Sequence, residues 1–407
     1  MYRIIVFFTV FLLSCQLQAV ELSEALEKAL ENNPEIENAR YEYRKSLLEP
    51  MQVISNTIPV LKFSTGNNIY SESNDFANPS SLNISVEHAP MRGAYEFTSY
   101  KRAKHAAQIA QTKFKNAVQE VSIKVVNTYF EMICIMNVKK ELESYVNAFY
   151  YIYNNYCSED NFKCNMFKYF FETHQDTIKN TLEKSRINYI TLVNSAPDNL
   201  KLPKNHIPRI PDNMRSFVDS SIENSISILQ KSQEQKDSYL GKQVAITKTM
   251  PSFNIYGAIY LNKGEYPLRY SEKYNYLGLV FSIPITPSGK NFTNIAKENF
   301  NYKQSIQNYR QSIKDVEQKM QNMFADYKSY KSQIKNTRHF SAFYKKTLDS
   351  AISTDSKNST LDDINNYIDT FKKYQTALKN YYITLYTMAI LTQGINALGV
   401  QEPSIII

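Results

Sequence analysis

Between Ile306 and Ile334 apolar residues recur every three or four positions without a break: Ile306, Tyr309, Ile313, Val316, Met320, Met323, Tyr327, Tyr330 and Ile334. A 3.5-residue period held that long specifies helices wound on one another rather than a helix laid on a globular core. The same spacing runs through Ala103, Ala107, Ala110, Phe114, Ala117 and Val121, and through Ile178, Leu182, Ser185, Tyr189, Leu192 and Ala196. It returns at Leu361, Ile364, Ile368, Phe371, Gln375, Leu378, Tyr382 and Leu385. Helices of about 50 residues extend ~75 Å, beyond the reach of one globular core. Only 9 glycines in 407 residues fit a chain with few tight turns. Many seam positions are Ala, Ser or Tyr, so each buries little apolar area, and association of several chains would supply more.

Four segments carry the other period. Strands are expected at about 58–70, 81–89, 251–261 and 275–284. Leu61, Phe63 and Thr65 alternate with Lys62, Ser64 and Gly66; Leu82, Ile84 and Val86 alternate with Asn83, Ser85 and Glu87. Phe253, Ile255, Gly257, Ile259 and Leu261 do the same in the third, and Leu277, Leu279, Phe281 and Ile283 in the fourth. Ala89-Pro90 and Pro284 stop two of them, a polar stretch covers Ser71 to Ser81, and a charged loop is expected from Asn262 to Asn275. Strands of about ten residues suit a tilted membrane crossing, and one apolar face suits a barrel wall. The candidate lipid-facing residues are Leu82, Ile84, Val86, Phe253, Ile255, Leu277, Leu279 and Phe281. So few strands cannot close a barrel, and open edges cannot face lipid, so several chains must contribute. Two ordinary hairpins on a soluble domain are the alternative.

The order helix, strand, loop, strand, long helix pair is written twice, about 190 residues apart, which is too long for a solenoid unit and suggests duplication. The first repeat covers 20–210, with its helix pair at about 95–196 and an opening helix interrupted by Asn33-Pro34. The second covers 211–407, with its helix pair at about 288–398. The fold class is α+β, internally duplicated, with a coiled-coil helical part and four strands per chain.

Residues 1–19 stand apart. Arg3, the apolar run Ile4 to Leu13 and Leu17-Gln18-Ala19 make a secretory signal, too short for a membrane helix, and its removal takes the net charge from +8 to +7. Leu12-Leu13-Ser14-Cys15 also has the look of a lipoprotein cleavage site. A helix of about 35 residues from Leu22 covers ~50 Å, whereas the seven residues from Cys15 reach only ~25 Å, so plain cleavage near Ala19 is favoured. No later segment reaches the length of an apolar membrane helix. Cys134, Cys157 and Cys164 remain, with no CxxC pair; Cys157 and Cys164 can bridge in an oxidising compartment or stay free.

Other chemistry is missing. Lys and Arg total 47 against 39 Asp and Glu, spread without a run of like charge, which argues against nucleic acid. His88, His105, His174, His206 and His339 show no metal-ligand spacing, Ser288-Gly289-Lys290 lacks a phosphate-binding loop, and there is no GxSxG. Neither an enzyme nor a cofactor is expected.

Together, Leu22-x-x-Ala25-Leu26-x-x-Ala29-Leu30 with Asn33-Pro34, Ile58-Pro59-x-Leu61-x-Phe63, Leu277-Gly278-Leu279-x-Phe281-Ser282-Ile283-Pro284-Ile285 with Gly289, and Thr360-Leu361-x-Asp363 resemble the outer-membrane efflux protein family, the TolC-like channels. The resemblance covers essentially the whole mature chain in order. It implies a homotrimer whose chains share one twelve-stranded transmembrane barrel over a helical tunnel in the periplasm. It also implies docking to a periplasmic adaptor (membrane fusion) protein and to an inner-membrane efflux pump or ABC transporter, in drug efflux or type I secretion. In that family acidic residues at the start of the last helix gate the periplasmic end. The matching positions are Asp363 and Asn366, the latter replacing a frequent acidic residue, with Asp362 able to add charge. The turn Ser356-Lys357-Asn358-Ser359 lacks the family's usual glycine and basic residue. Three Asp363 carboxylates in a narrow ring would favour cations. Ser359-x-x-Asp362 and Thr360-x-x-Asp363 also have the pattern of a helix cap, and both roles can hold together. A secreted coiled-coil structural or adaptor protein without a pore is the other reading.

Overall fold

A computed structural model describes residues 21–67, 80–92, 94–157, 161–197, 200–203, 207–263, 270–282, 289–353 and 359–403. The signal segment with Cys15, the loop centres 68–79 and 264–269, the end of the Leu277–Ile285 match and the turn 354–358 lie outside the described residues. In chain order the elements are α1 (Leu22–Asn32), α2 (Pro34–Ser55), β1 (Val60–Asn67), β2 (Ser80–Arg92), α3 (Tyr95–Tyr156) and α4 (Phe162–Val193). Then come α5 (Met214–Asn224), α6 (Ile226–Thr247), β3 (Ser252–Lys263), β4 (Tyr270–Ser282), α7 (Gly289–Ser353), α8 (Ser359–Gln393) and a 3-10 turn (Ile395–Leu398).

These elements sort into two compact units, and neither follows a sequence half. One takes the described residues up to Asn38, Lys115–Ile226 and those from Ile313 on; the other is Ala39–Phe114 with Ser227–Ser312.

The second unit holds the sheet, in the order β1-β2-β3-β4, antiparallel throughout. The β2–β3 pairing joins the two halves of the chain. β2 does not stop at Ala89-Pro90: it runs on to Arg92 across a register shift between His88 and Met91. A bulge leaves a residue out of the ladder, so a proline without an N–H is tolerated there. Nor is Asn262 to Asn275 wholly loop, because Leu261 pairs with Lys273 and Ile259 with Asn275. The ladder is made by backbone groups, so it continues past the point where the apolar alternation ends. Among the helical segments of this unit, the Arg102 guanidinium of α3 donates to both carboxylate oxygens of Asp237 on α6, at 2.9–3.3 Å. Gly241, one turn further, makes room for it: a Cβ there would stand 3.2 Å from Arg102 Cζ and 3.1 Å from Glu298 Oε2.

The first unit is helical. α1 buries Leu22, Ala25, Leu26, Ala29 and Leu30 on one face. Asn33 breaks the chain and its Oδ1 accepts from Glu35 N at 2.8 Å, capping α2, whose first residue is Pro34. At the far ends of α3 and α7 and the near ends of α4 and α8, one core gathers Leu142, Tyr145, Phe149, Phe167, Phe171, Leu348, Leu361, Ile364, Tyr367 and Ile368. Phe149 and Phe171 stack with centroids 4.0 Å apart. α4 ends at Val193, with Asn194 in the left-handed conformation (φ 54°), so Ala196 falls outside the helix that the spacing extended to it. One window of α3 is apolar enough, by length and composition alone, to cross a bilayer; more than half of it is buried in the fold.

Candidate functional site

The register gathers one face of the sheet. Phe63 lies opposite Ile84, Ile84 opposite Ile259, Ile255 opposite Leu279 and Phe253 opposite Phe281. Directly paired residues share a face, so Leu82, Ile84, Val86, Phe253, Ile255, Leu277, Leu279 and Phe281 fall together, joined by Leu61, Phe63, Ile259 and Leu261. Leu277 is 79% exposed, Leu279 69%, Phe281 64% and Phe63 67%. An apolar face left so open marks an interaction surface. The opposite face carries Lys62, Ser64, Ser85, Glu87, Asn254 and Tyr256, with Lys62 Nζ 2.7 Å from Glu87 Oε2. Strands β1 and β4 are the sheet's two edges.

The helical tip is the second candidate. Asp362, Asp363 and Asn366 occupy the first two turns of α8, Asp362 and Asn366 exposed and Asp363 half-buried. Partial burial, then the neighbouring Asp362 charge, raises the Asp363 carboxyl above its ordinary value. The side chains of Ser359 and Thr360 lie outside the described ones, so the capping pattern has no geometry to report. Cys157, just past α3, is joined by a disulfide to Cys164 in the first turn of α4. Asn161 caps that helix, its Oδ1 accepting from the N–H groups of Lys163 and Cys164. Cys134 is a buried free thiol.

Sequence reasoning missed the polar link beside this tip. Tyr367 of α8 donates to Glu141 Oε1 of α3 at 2.5 Å, and Lys345 of α7 reaches the same oxygen at 2.9 Å. Burial opposes ionisation of Glu141, but the hydrogen bonds from Tyr367 and Lys345 outweigh it and hold the carboxyl below its ordinary value. Tyr367 alone could have been found, since it falls on the apolar face of α8 beside Ile364 and Ile368. Among the described residues no group of three His, Cys, Asp or Glu side chains is placed to hold a metal.

No protein-family model and no curated protein matches the sequence. Solved structures do match in fold. The chain is similar to the CusC transmembrane channel (TM-score 0.75, 12% identity, 92% of each chain covered). It is similar to the Campylobacter jejuni outer-membrane channel CmeC (TM-score 0.75, 15% identity, 94% of this chain and 87% of that one). The Vibrio cholerae outer-membrane protein VceC gives 0.71 at 12% identity over 94% and 97%. With coverage this complete on both sides, the chain has the fold of the TolC-like outer-membrane channels.

Proposed function

We propose that this chain is an outer-membrane exit duct, a passive channel of a tripartite efflux or type I secretion system. The observation that carries the reading is the sheet: one face that is apolar from Leu61 and Phe63 across Ile84 and Val86 to Ile255, Leu279 and Phe281, a more polar opposite face, and two edges. Such a sheet is at odds with water on its apolar side and with lipid at its edges. Three copies joined β1 to β4 close a twelve-stranded barrel, with Leu279 and its neighbours toward lipid and the Lys62–Glu87 pair toward the lumen. The chain then resides in the outer membrane and extends into the periplasm, where its helices meet an adaptor and an inner-membrane pump that supplies the energy. The tip of α8 is the gate: Asp363 from three chains forms a ring that favours cations, and the Tyr367–Glu141–Lys345 link holds α8 against α3 and α7. Opening requires that link to give way.

Mass measurement in detergent together with planar-bilayer recording of the purified protein tests this. A trimer that conducts ions supports it; a monomer recovered from the soluble periplasm, silent in bilayers, overturns it and leaves the coiled-coil adaptor reading.

A further inference from the structure

Away from the sheet face and the tip, helices α3, α4 and α8 enclose a cleft of about 160 Å³. Cys134 and Val138 of α3 and Ile178 of α4, all buried, form its apolar floor. Lys372 and Lys379, seven positions apart and therefore on one side of α8, line it with their ammonium-bearing side chains, and Glu131 of α3 is the third charged group. Among the described residues, none of these three side chains is in an ion pair or hydrogen bond. Asp369, a turn before Lys372, is already held by Lys373 at 2.6 Å. Thr376 and Thr181, also in the lining, donate their hydroxyls to the carbonyls of Lys372 and Thr177 in their own helices. The cleft thus has an apolar base, two cations without a partner and one anion.

Both lysines are felt at its base. Burial pushes the Cys134 thiol up to about 11, while Lys379 and Lys372 pull it down and Glu131 adds to the rise. The charges are therefore close enough to act on a group seated on the floor.

We propose that this cleft binds a small aromatic carboxylate, its ring on Cys134, Val138 and Ile178 and its carboxylate between Lys372 and Lys379. Size fits the ring: a cavity of about 150 Å³ holds one benzene molecule. Charge fits the carboxylate: two ammonium groups against Glu131 leave an excess positive charge, and ammonium–carboxylate hydrogen bonds are among the strong ones. The site lies within one compact unit and does not depend on the channel reading.

The Cys134 thiol reports occupancy directly. The full mature chain in detergent is treated with methyl methanethiosulfonate, and modification of Cys134 is followed by peptide mass in the presence of benzoate or its uncharged isostere benzamide. A ligand covering the thiol slows the reaction by one plus the ratio of its concentration to Kd, so benzoate at twice its Kd gives about threefold protection. Benzoate is expected to protect and benzamide, at the same concentration, to leave the rate unchanged. The pair Lys372→Met and Lys379→Met should abolish protection with the helical circular dichroism intact, and Glu131→Gln should strengthen it. Equal protection by both molecules overturns the proposal, as does protection that survives loss of both lysines, or none up to the solubility limit of benzoate.

Discussion

At Glu141 two effects oppose one another. Burial resists the charge, and hydrogen bonds from Tyr367 and Lys345 more than restore it. A carboxyl held below its ordinary value of 4.5 contributes stability that is fully present above that value and is lost as pH falls through the lowered one. Tyr367→Phe removes one donor to a charged acceptor and should cost about 1.5–3 kcal/mol, seen as a lower thermal midpoint. The gap from the parent should shrink as pH falls through the lowered value, where Glu141 takes up a proton. Asp363 has the opposite sign. Its raised carboxyl means that the charged form is disfavoured in the fold, so stability falls as pH rises from 3.8 through the raised value. Asp363→Asn is therefore expected to leave the fold at least as stable and, in planar bilayers, to lower the cation preference of the conductance. An unchanged preference would leave Asp363 only the capping pattern Thr360-x-x-Asp363.

Among elements, the α3–α4 hairpin has a covalent closure that the α7–α8 hairpin lacks among the described residues. The Cys157–Cys164 bridge closes a loop of separation seven and sets Cys164, 3% exposed, into the core shared with Leu361 and Ile364. Cys157→Ser should lower stability by about 2–3 kcal/mol through the freed unfolded chain, measured as the melting shift between parent and variant under oxidising conditions. The elements differ in how far the sequence disclosed them. Helices α3, α4, α7 and α8 were legible because a repeated period is a local signal, and so was the apolar side of each strand; that these sides coincide depends on the register, which a one-residue slip would undo. The seam of α7 was legible as a pattern, but in one chain only Val316 and Met320 along it are buried, while Phe324 off the seam packs on Phe217. What periodicity could not show was partnership. Glu141 and Tyr367 are 226 positions apart and Arg102 and Asp237 are 135 apart. Such residues are common on any solvated helix, so nothing local marks them. The cysteine pairing stayed open for a similar reason, since spacing permits a bridge without requiring one.

For the whole molecule the apolar sheet face decides between membrane and water. Leu279→Arg puts a charge where the proposed barrel meets the middle of the bilayer, at roughly 2–4 kcal/mol per chain. Cell fractionation should show the variant depleted from the outer membrane and its detergent-resistant trimer lost; unchanged recovery would mean that the hairpins sit in water. The interleaving of the two compact units has a consequence for biogenesis. Each unit takes segments from both halves of the chain, and the first also needs the stretch from Ile313 onward. A growing chain therefore carries β1 and β2 with no β3 to receive them until its second half arrives, and half-built helical packing until its final quarter does. Unpaired strand rims and bare apolar surfaces are what aggregates form from, and neither unit can be finished from one half of the polypeptide alone.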